Sequence, residues 1–189
     1  LLYVRGKPKL LRLPGLAVIG SRHATPQGLE TARQFANYLA GQGHSVISGL
    51  ALGIDTEAHR GALAAGGNTV AVIGTGADRL YPAQNKELAL KIAEHGAILS
   101  EFPLGTPAMA SNFPRRNRLI SGLARGVLVV EAAVESGSLI TARLAAEQGR
   151  EVFAIPGSIH SPLARGCHRL IKQGAKLVET AQDILDELS

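Results

Sequence analysis

Short apolar runs alternate with longer amphipathic segments along most of the chain, and this alternation is the feature that most constrains the fold. Several runs are apolar at almost every position, as strands buried on both faces of a parallel sheet are. The predicted strands are Leu16–Gly20, Ser45–Ser48, Thr69–Ile73, Ala97–Ser100, Gly126–Glu131 and Glu151–Ile155. Strands that are separated by helical segments indicate βαβ units and therefore a parallel sheet.

The helical segments have recognisable ends. Thr25 is suited to cap a helix that has Pro26 at its first position and ends near Gly41. Further helices are predicted over Asp55–Ala65, Gln84–Glu94, Pro114–Leu123, Ser138–Gln148, Pro162–Gln173 and Ala181–Leu188. The predicted fold class is α/β, with a doubly wound, mostly parallel sheet, helices on both faces and an extended Rossmann-like arrangement.

Length and composition add a few exclusions. At 189 residues and 46% hydrophobic content the chain can bury one full core, so we expect a single domain over residues 1–189. Because the sequence begins with Leu1, we expect flanking domains outside it. The apolar runs are too short to cross a bilayer and Cys167 is the single cysteine, so we expect a cytoplasmic protein with no membrane contact, disulfide or metal site. The net charge of +5 favours anionic partners.

Glycine, serine and arginine are concentrated in the loops that follow the predicted strands. In a doubly wound sheet, ligands bind beside the carboxyl ends of the strands. Gly20-Ser21-Arg22 precedes the capped helix, so its N–H groups and the Arg22 guanidinium can together hold a negative oxygen, although a plain turn with an exposed arginine explains the tripeptide equally well. Ser48-Gly49 begins a second loop of the same design. Two adjacent loops of this kind predict a site for a run of phosphates.

The segment Asn112–Arg118 places three arginines in the first turn of a helix. Positive charges there oppose the helix dipole, at about 0.3–1 kcal/mol each when exposed, and a bound anion would reverse that cost. Arg115 and Arg118 share a helix face, whereas Arg116 points about 100° away and is expected to be solvated. Phe113 can either stack on a base or anchor the loop in the core.

Other polar residues at this edge have simpler explanations. Asp55 is expected to cap a helix, and His59 to pack in the core rather than bind a metal. Glu101, Glu131 and Glu135 are expected to serve as helix caps and arginine partners, because no nucleophile or second cluster of titratable groups accompanies them. The absence of catalytic motifs indicates a binding protein rather than an enzyme.

Together, these loops resemble the central, Rossmann-like domain of the DNA-processing protein A (DprA/Smf) family over nearly the whole chain. Each motif is weak alone, but their number and order are specific. The motifs are Gly20–Arg22, Ser48–Asp55, Val72–Asp78, Ser100–Pro103, Asn112–Leu123, Val129–Ala132, Ser136–Ala142 and Ala154–Gly157.

The resemblance implies a bacterial protein that binds incoming single-stranded DNA in natural transformation, protects it and helps load the RecA recombinase. It also implies a homodimer formed through this domain. Carried over by position, the nucleic-acid-binding residues would be Gly20, Ser21, Arg22, Ser48, Gly49, Phe113, Arg115, Asn117 and Arg118.

A nucleotide-hydrolysing enzyme on a similar scaffold is the alternative function. The cytokinin-activating phosphoribohydrolases have a Pro-Gly-Gly-x-Gly-Thr pattern with a nearby acid, whereas the matching stretch Val134–Leu139 lacks the double glycine. Gly74-Thr75-Gly76 begins like a dinucleotide fingerprint, but Arg79 occupies the third glycine position. We therefore expect no cofactor.

Overall fold

A computed structural model describes residues 1–189 and contains one eight-stranded sheet. The strands are β1 (Tyr3–Gly6), β2 (Gly15–Ile19), β3 (Ser45–Ser48), β4 (Thr69–Val72), β5 (Ala97–Ser100), β6 (Gly126–Val129), β7 (Glu151–Ala154) and β8 (Lys176–Leu177). Their order is β1-β5-β4-β3-β2-β6-β7-β8, and only β1 and β5 pair antiparallel. The predicted α/β fold with a doubly wound, mostly parallel sheet is confirmed.

Seven α-helices connect the strands. They are α1 (Pro26–Gly41), α2 (Ile54–Ala64), α3 (Lys86–His95), α4 (Asn112–Leu123), α5 (Gly137–Glu147), α6 (Arg165–Lys172) and α7 (Ala181–Leu188). Thr25 caps α1 as predicted, because its hydroxyl accepts a hydrogen bond from the Gly28 N–H at 3.0 Å. None of the helices has the length and apolar character that a membrane span requires.

Each face of the sheet carries its own apolar core. In β2, Leu16 and Val18 pack with α1, α2 and α7, whereas Ala17 and Ile19 pack with α4, α5 and α6. A smaller cluster lies beneath α3 and includes Leu50. Since successive side chains of a strand point to opposite faces, a central strand covered on both sides must be apolar throughout, as β2 is.

The structure differs from the prediction mainly at the edges of the sheet and the ends of the elements. The edge strands β1 and β8 were not predicted, because β1 is half-exposed and polar in part and β8 has only two residues, both exposed. The helix predicted over Pro162–Gln173 is a 3₁₀ turn followed by α6, and α3 likewise begins after a 3₁₀ turn at Ala83–Asn85. Four of the strands end one or two residues before the predicted position. The residues that were predicted to end these strands begin the following loops instead.

His59 lies in the core, as predicted. It is fully buried in α2, and its Nδ1 forms a hydrogen bond with the hydroxyl of Thr69 at 2.7 Å. Burial, reinforced by the charge of Arg116, lowers the pKa of His59 to about 3. The unfolded chain therefore binds a proton at His59 at a higher pH than the folded protein does.

Because the folded-state pKa is depressed, the stability that neutral His59 provides is complete above about pH 6.5 and is lost as the pH falls toward 3. We expect His59 alone to remove about 2 kcal/mol of stability between pH 7 and pH 5. A His59→Gln variant should lose correspondingly less over that interval, as measured by urea denaturation at both pH values. The exposed His160, changed to Gln, is the matched control, and an equal pH effect in both variants would contradict the assignment.

Candidate nucleic-acid interface

An open groove of about 740 Å³ lies at the carboxyl ends of β2 and β6. Here the order of the sheet reverses, because β2 pairs with β3 on one side and with β6 on the other. The floor is the loop after β2, one wall is the start of α4 and the other is the start of α5. The groove therefore occupies the switch point at which open α/β sheets bind ligands.

The loop after β2 is fixed by its backbone and leaves one arginine free. The Ser21 N–H donates to the carbonyl of Glu131 at 2.8 Å, and the Ser21 carbonyl accepts from the N–H of Ile54 at 3.2 Å. Gly20 packs so closely that a Cβ there would lie 2.7 Å from the Glu131 carbonyl. Arg22 is exposed, lines the groove and forms no ion pair. The guanidinium of Arg22 is therefore an uncompensated positive charge above a rigid floor.

The loop after β3 does not form the vacant phosphate cradle that the sequence predicts. The N–H groups of Gly49 and Ala51 donate to Asp55 Oδ2, at 3.1 and 3.4 Å. Ser48 is fully buried and its hydroxyl donates to the carbonyl of Val18 at 2.7 Å. An internal carboxylate thus occupies the position predicted for a bound anion. Burial raises the pKa of Asp55, although the charge of Arg116 and these hydrogen bonds oppose the shift.

A buried amide holds the same loop from the opposite side. Asn85 Nδ2 donates to the Leu50 carbonyl and to the Thr56 hydroxyl, both at 2.9 Å. The Thr56 hydroxyl in turn donates to the Ala51 carbonyl at 2.8 Å. Leu50 has a φ of +61°, an unusual backbone conformation for a non-glycine residue. These contacts make the loop a rigid support beneath the groove.

Arg116 is buried, which corrects the prediction that it is solvated. Only 5% of the residue is exposed, and its Nη1 donates to the carbonyls of Gly49 and Val72, both at 2.7 Å. The helix α4 packs against β3 and β4, so the side chain on its inward face reaches the carbonyl of Val72 at the end of β4 and that of Gly49 just after β3. Burial lowers the pKa of Arg116 to about 10, so the guanidinium stays charged at neutral pH.

Arg115 and Arg118 share a helix face, as predicted, and both meet the carboxylate of Glu101. Arg118 Nη2 contacts Oε2, and Arg115 Nε lies 3.6 Å from Oε1. The two arginine side chains are 64% and 48% exposed, whereas that of Glu101 is 10% exposed. Neither arginine lines the groove itself. They form a basic patch on the outer side of α4, with a net positive charge after pairing.

Two aromatic rings stand at the end of the groove. Phe113 is half-buried, and the Cζ atoms of Arg22 and Arg116 lie 5.8 and 5.5 Å from its ring centroid. Tyr81, which was not among the predicted site residues, is 47% exposed, and its ring centroid lies 5.7 Å from that of Phe113. An aromatic residue directly after a glycine-rich βα loop is the signal that could have identified it.

Glu101 and Glu131 have the structural roles that were expected of them, whereas Asp55 holds the loop after β3 instead of capping α2, and Glu135 lines the groove without an arginine partner. Glu131 accepts from the N–H of Thr25 at 2.9 Å and from its hydroxyl, so both carboxylate oxygens bind the start of α1.

Ser136 caps α5 by accepting from the N–H of Ser138 at 3.2 Å, and this helix end faces the groove. Asn117 also lines the groove, and its side chain accepts from Arg116 Nε at 3.1 Å. No group of three His, Cys, Asp or Glu residues is arranged to hold a metal ion.

Comparison with known sequences gives matches over the whole chain. The model of the family described as DNA recombination-mediator protein A matches residues 1–189. Protein Smf of Escherichia coli (strain K12) is 52% identical over 99% of this chain and 50% of its own length. DNA processing protein DprA of Streptococcus pneumoniae is 50% identical over 99% of this chain and 66% of its own length. The chain therefore spans about half to two thirds of the length of these relatives.

Solved structures show the same relationship. DNA processing protein A from Streptococcus pneumoniae superposes with a TM-score of 0.96 and 49% identity, over 100% of this chain and 66% of that one. The protein of that name from Helicobacter pylori, described by its single-stranded DNA binding mode, has a TM-score of 0.91 and 32% identity over 99% of this chain and 86% of that one. A molybdenum cofactor binding protein from Rippkaea orientalis, at 0.65 and 17%, shares the fold alone.

Proposed function

The chain belongs to the DNA recombination-mediator protein A family, and we propose that it binds single-stranded DNA in the groove at the switch point of its sheet, without catalysing a reaction. The observation that carries the proposal is the unpaired guanidinium of Arg22 above a rigid loop in an open groove. Arginine is a permanently charged donor with a geometry that matches phosphate. The Helicobacter pylori relative, which is described by its binding of single-stranded DNA, supports the same function.

We propose that the predicted site residues divide into contacting and supporting groups. Gly20, Ser21, Arg22 and Asn117 line the groove, and we assign them to direct contact with the strand. Arg115 and Arg118 lie on the outer side of α4, where they can take phosphates that leave the groove. Ser48 and Gly49 are buried and support the contacting residues from behind. Phe113 also lines the groove, but it is half-buried, and we assign it to support as well.

A binding role is favoured over the alternative of nucleotide hydrolysis by the state of the candidate catalytic groups. The Glu131 carboxylate is fully engaged with Thr25. Cys167 is buried, and burial raises its pKa to about 12, so it is not a thiolate nucleophile. Release of a free base from a nucleoside monophosphate, lost on changing Glu131 to Gln, would favour the enzyme instead. Protection of incoming DNA, RecA loading and homodimer formation stay predictions for the whole protein.

Replacing Arg22 by Ala tests the proposal directly. We expect single-strand affinity to fall by about tenfold or more, because a charge-assisted contact to phosphate is lost from the centre of the groove. The slope of log affinity against log salt should become shallower by about 0.7, the value for one phosphate contact on a single strand. Fluorescence anisotropy with a labelled oligothymidine at several salt concentrations measures both quantities.

Arg33 provides the matched control, because it is an exposed arginine of α1 that pairs with Glu30 and does not line the groove. Arg33→Ala should leave affinity and salt slope close to those of the wild type. The proposal is wrong if Arg22→Ala and Arg33→Ala behave alike, or if the wild type does not bind single strands.

A further inference from the structure

Aromatic rings are scarce in this chain, which has four Phe, three Tyr and no Trp. Phe35, Phe102 and Phe153 are buried. Tyr3 lies in the edge strand β1 and Tyr38 is hydrogen-bonded to Gln182, and neither tyrosine lines the groove. Tyr81 is the remaining ring that is substantially exposed at the groove, where Phe113 lies beside it. Stacking of a base on an aromatic ring is a main source of affinity for single strands, so the ring that is free to stack is of interest.

The Phe113 ring already has several neighbours within the protein. Gly74 packs so closely that a Cβ there would lie 2.8 Å from Phe113 Cδ1. The guanidinium groups of Arg22 and Arg116 lie near the ring as cation–π partners, and the Tyr81 ring lies beside it at an interplanar angle of 38°. Phe113 is half-buried and is therefore the less accessible of the two rings at the groove.

Tyr81, in contrast, is 47% exposed and lines the groove. It also borders a smaller cavity of about 60 Å³, which Phe113 and the loop residues Gly49 and Leu52 line as well. Tyr81 therefore offers more accessible aromatic surface to a bound strand than Phe113 does.

We propose that Tyr81, rather than Phe113, is the platform on which a base of the bound strand stacks, next to the phosphate that Arg22 holds. This inference rests on the proposed function. The Cζ of Arg22 and the ring of Tyr81 lie 5.8 and 5.7 Å from the centroid of Phe113, so one nucleotide can touch both. Phe113 then serves as the shared support that orients the cation and the ring. Because every base has a π-face, this platform recognises a single strand without selecting its sequence.

The test compares Tyr81→Ala with Tyr81→Phe and, as matched control, with Tyr38→Ala, which removes a similarly exposed tyrosine that does not line the groove. Tyr81→Ala should weaken binding of an oligothymidine by about tenfold, whereas Tyr81→Phe keeps the ring and should stay within about twofold. Since no charge is removed, the salt slope should equal that of the wild type, unlike that of Arg22→Ala. Urea midpoints confirm that each variant is folded.

A double-mutant cycle, in which the protein loses the Tyr81 ring and the DNA loses one base, makes the test specific for stacking. A series of oligonucleotides carries one abasic nucleotide at successive positions, and in wild-type protein one position should cost about as much affinity as Tyr81→Ala does. In Tyr81→Ala protein that penalty should vanish, because the ring and the base then no longer form a pair. Since the chain has no tryptophan, quenching of tyrosine fluorescence on binding should also be present in the wild type and lost in Tyr81→Phe.

The inference is overturned if Tyr81→Ala binds like the wild type, or if the abasic penalty persists in full without the ring. In that case the proposed function still stands, provided that binding depends on Arg22 and on salt. If the wild type binds no single strand, the proposed function fails and the inference falls with it.

Discussion

Replacing Arg116 by Met is expected to lower the free energy of unfolding by about 3 kcal/mol. Met fills much of the volume of arginine but donates no hydrogen bond. The carbonyls of Gly49 and Val72 would be left buried without a partner, at about 1–3 kcal/mol for each such group. The buried carboxylate of Asp55 would also lose the nearby positive charge that partly offsets the cost of removing that carboxylate from water.

Arg115→Met is the control, since it makes the same chemical change one residue earlier in the same helix. The side chain of Arg115 is 64% exposed and pairs loosely with Glu101, so the loss there should be no more than about 0.5 kcal/mol. Urea denaturation of both variants measures the difference. Similar midpoints for the two would show that Arg116 does not hold the strand ends together.

Changing Gly53 to Ala is expected to cost about 3 kcal/mol and to weaken single-strand binding as well. Gly53 has φ +79° and ψ −126°, a conformation that is essentially restricted to glycine. A Cβ there would also lie 2.3 Å from the Ser21 carbonyl oxygen and 2.7 Å from that of Arg22. The loop after β2 would have to move, and Arg22 would move with it.

Gly43→Ala separates backbone strain from steric contact between the loops. Gly43 also has a positive φ, +89°, but a Cβ there would meet open space. That variant should show the cost of backbone strain alone, about 1 kcal/mol, and unchanged binding. Thermal or urea denaturation gives the stabilities, and oligonucleotide titration gives the affinities. Equal losses in the two variants would mean that the contact between the two loops contributes nothing.

The interior of the fold could be predicted from the sequence because its signals are local. The apolar runs of β2 to β6 and the Thr25-Pro26 start of α1 depend on side chains close together in the chain. The edge strands could not be predicted in this way. β8 has two exposed residues, and its pairing with β7 depends on where α6 ends rather than on any pattern of its own.

The candidate site was predictable in position and less so in detail. In a doubly wound sheet, the loops that follow the strands lie at one edge, at the carboxyl ends. Gly20 and Arg22 follow the first predicted strand, so their position beside a groove at that edge follows from the topology. The burial of Arg116 depends on how α4 crosses the sheet, and the capture of the Gly49 N–H by Asp55 depends on the path of a loop. Neither can be read from spacing. Tyr81 was missed because the exposure of a ring is a tertiary property.

The reversal of strand order has a consequence for how the protein is made. The central strand β2 is synthesised early, but its neighbour β6 follows more than a hundred residues later, and the second wall of the groove extends to Thr141. Strands β2 to β5 can pair with one another while the ribosome is still adding residues, since domains form from the amino end. The groove therefore cannot be completed until α5 and the segment up to Leu163 have emerged, after all the strands that form its first side.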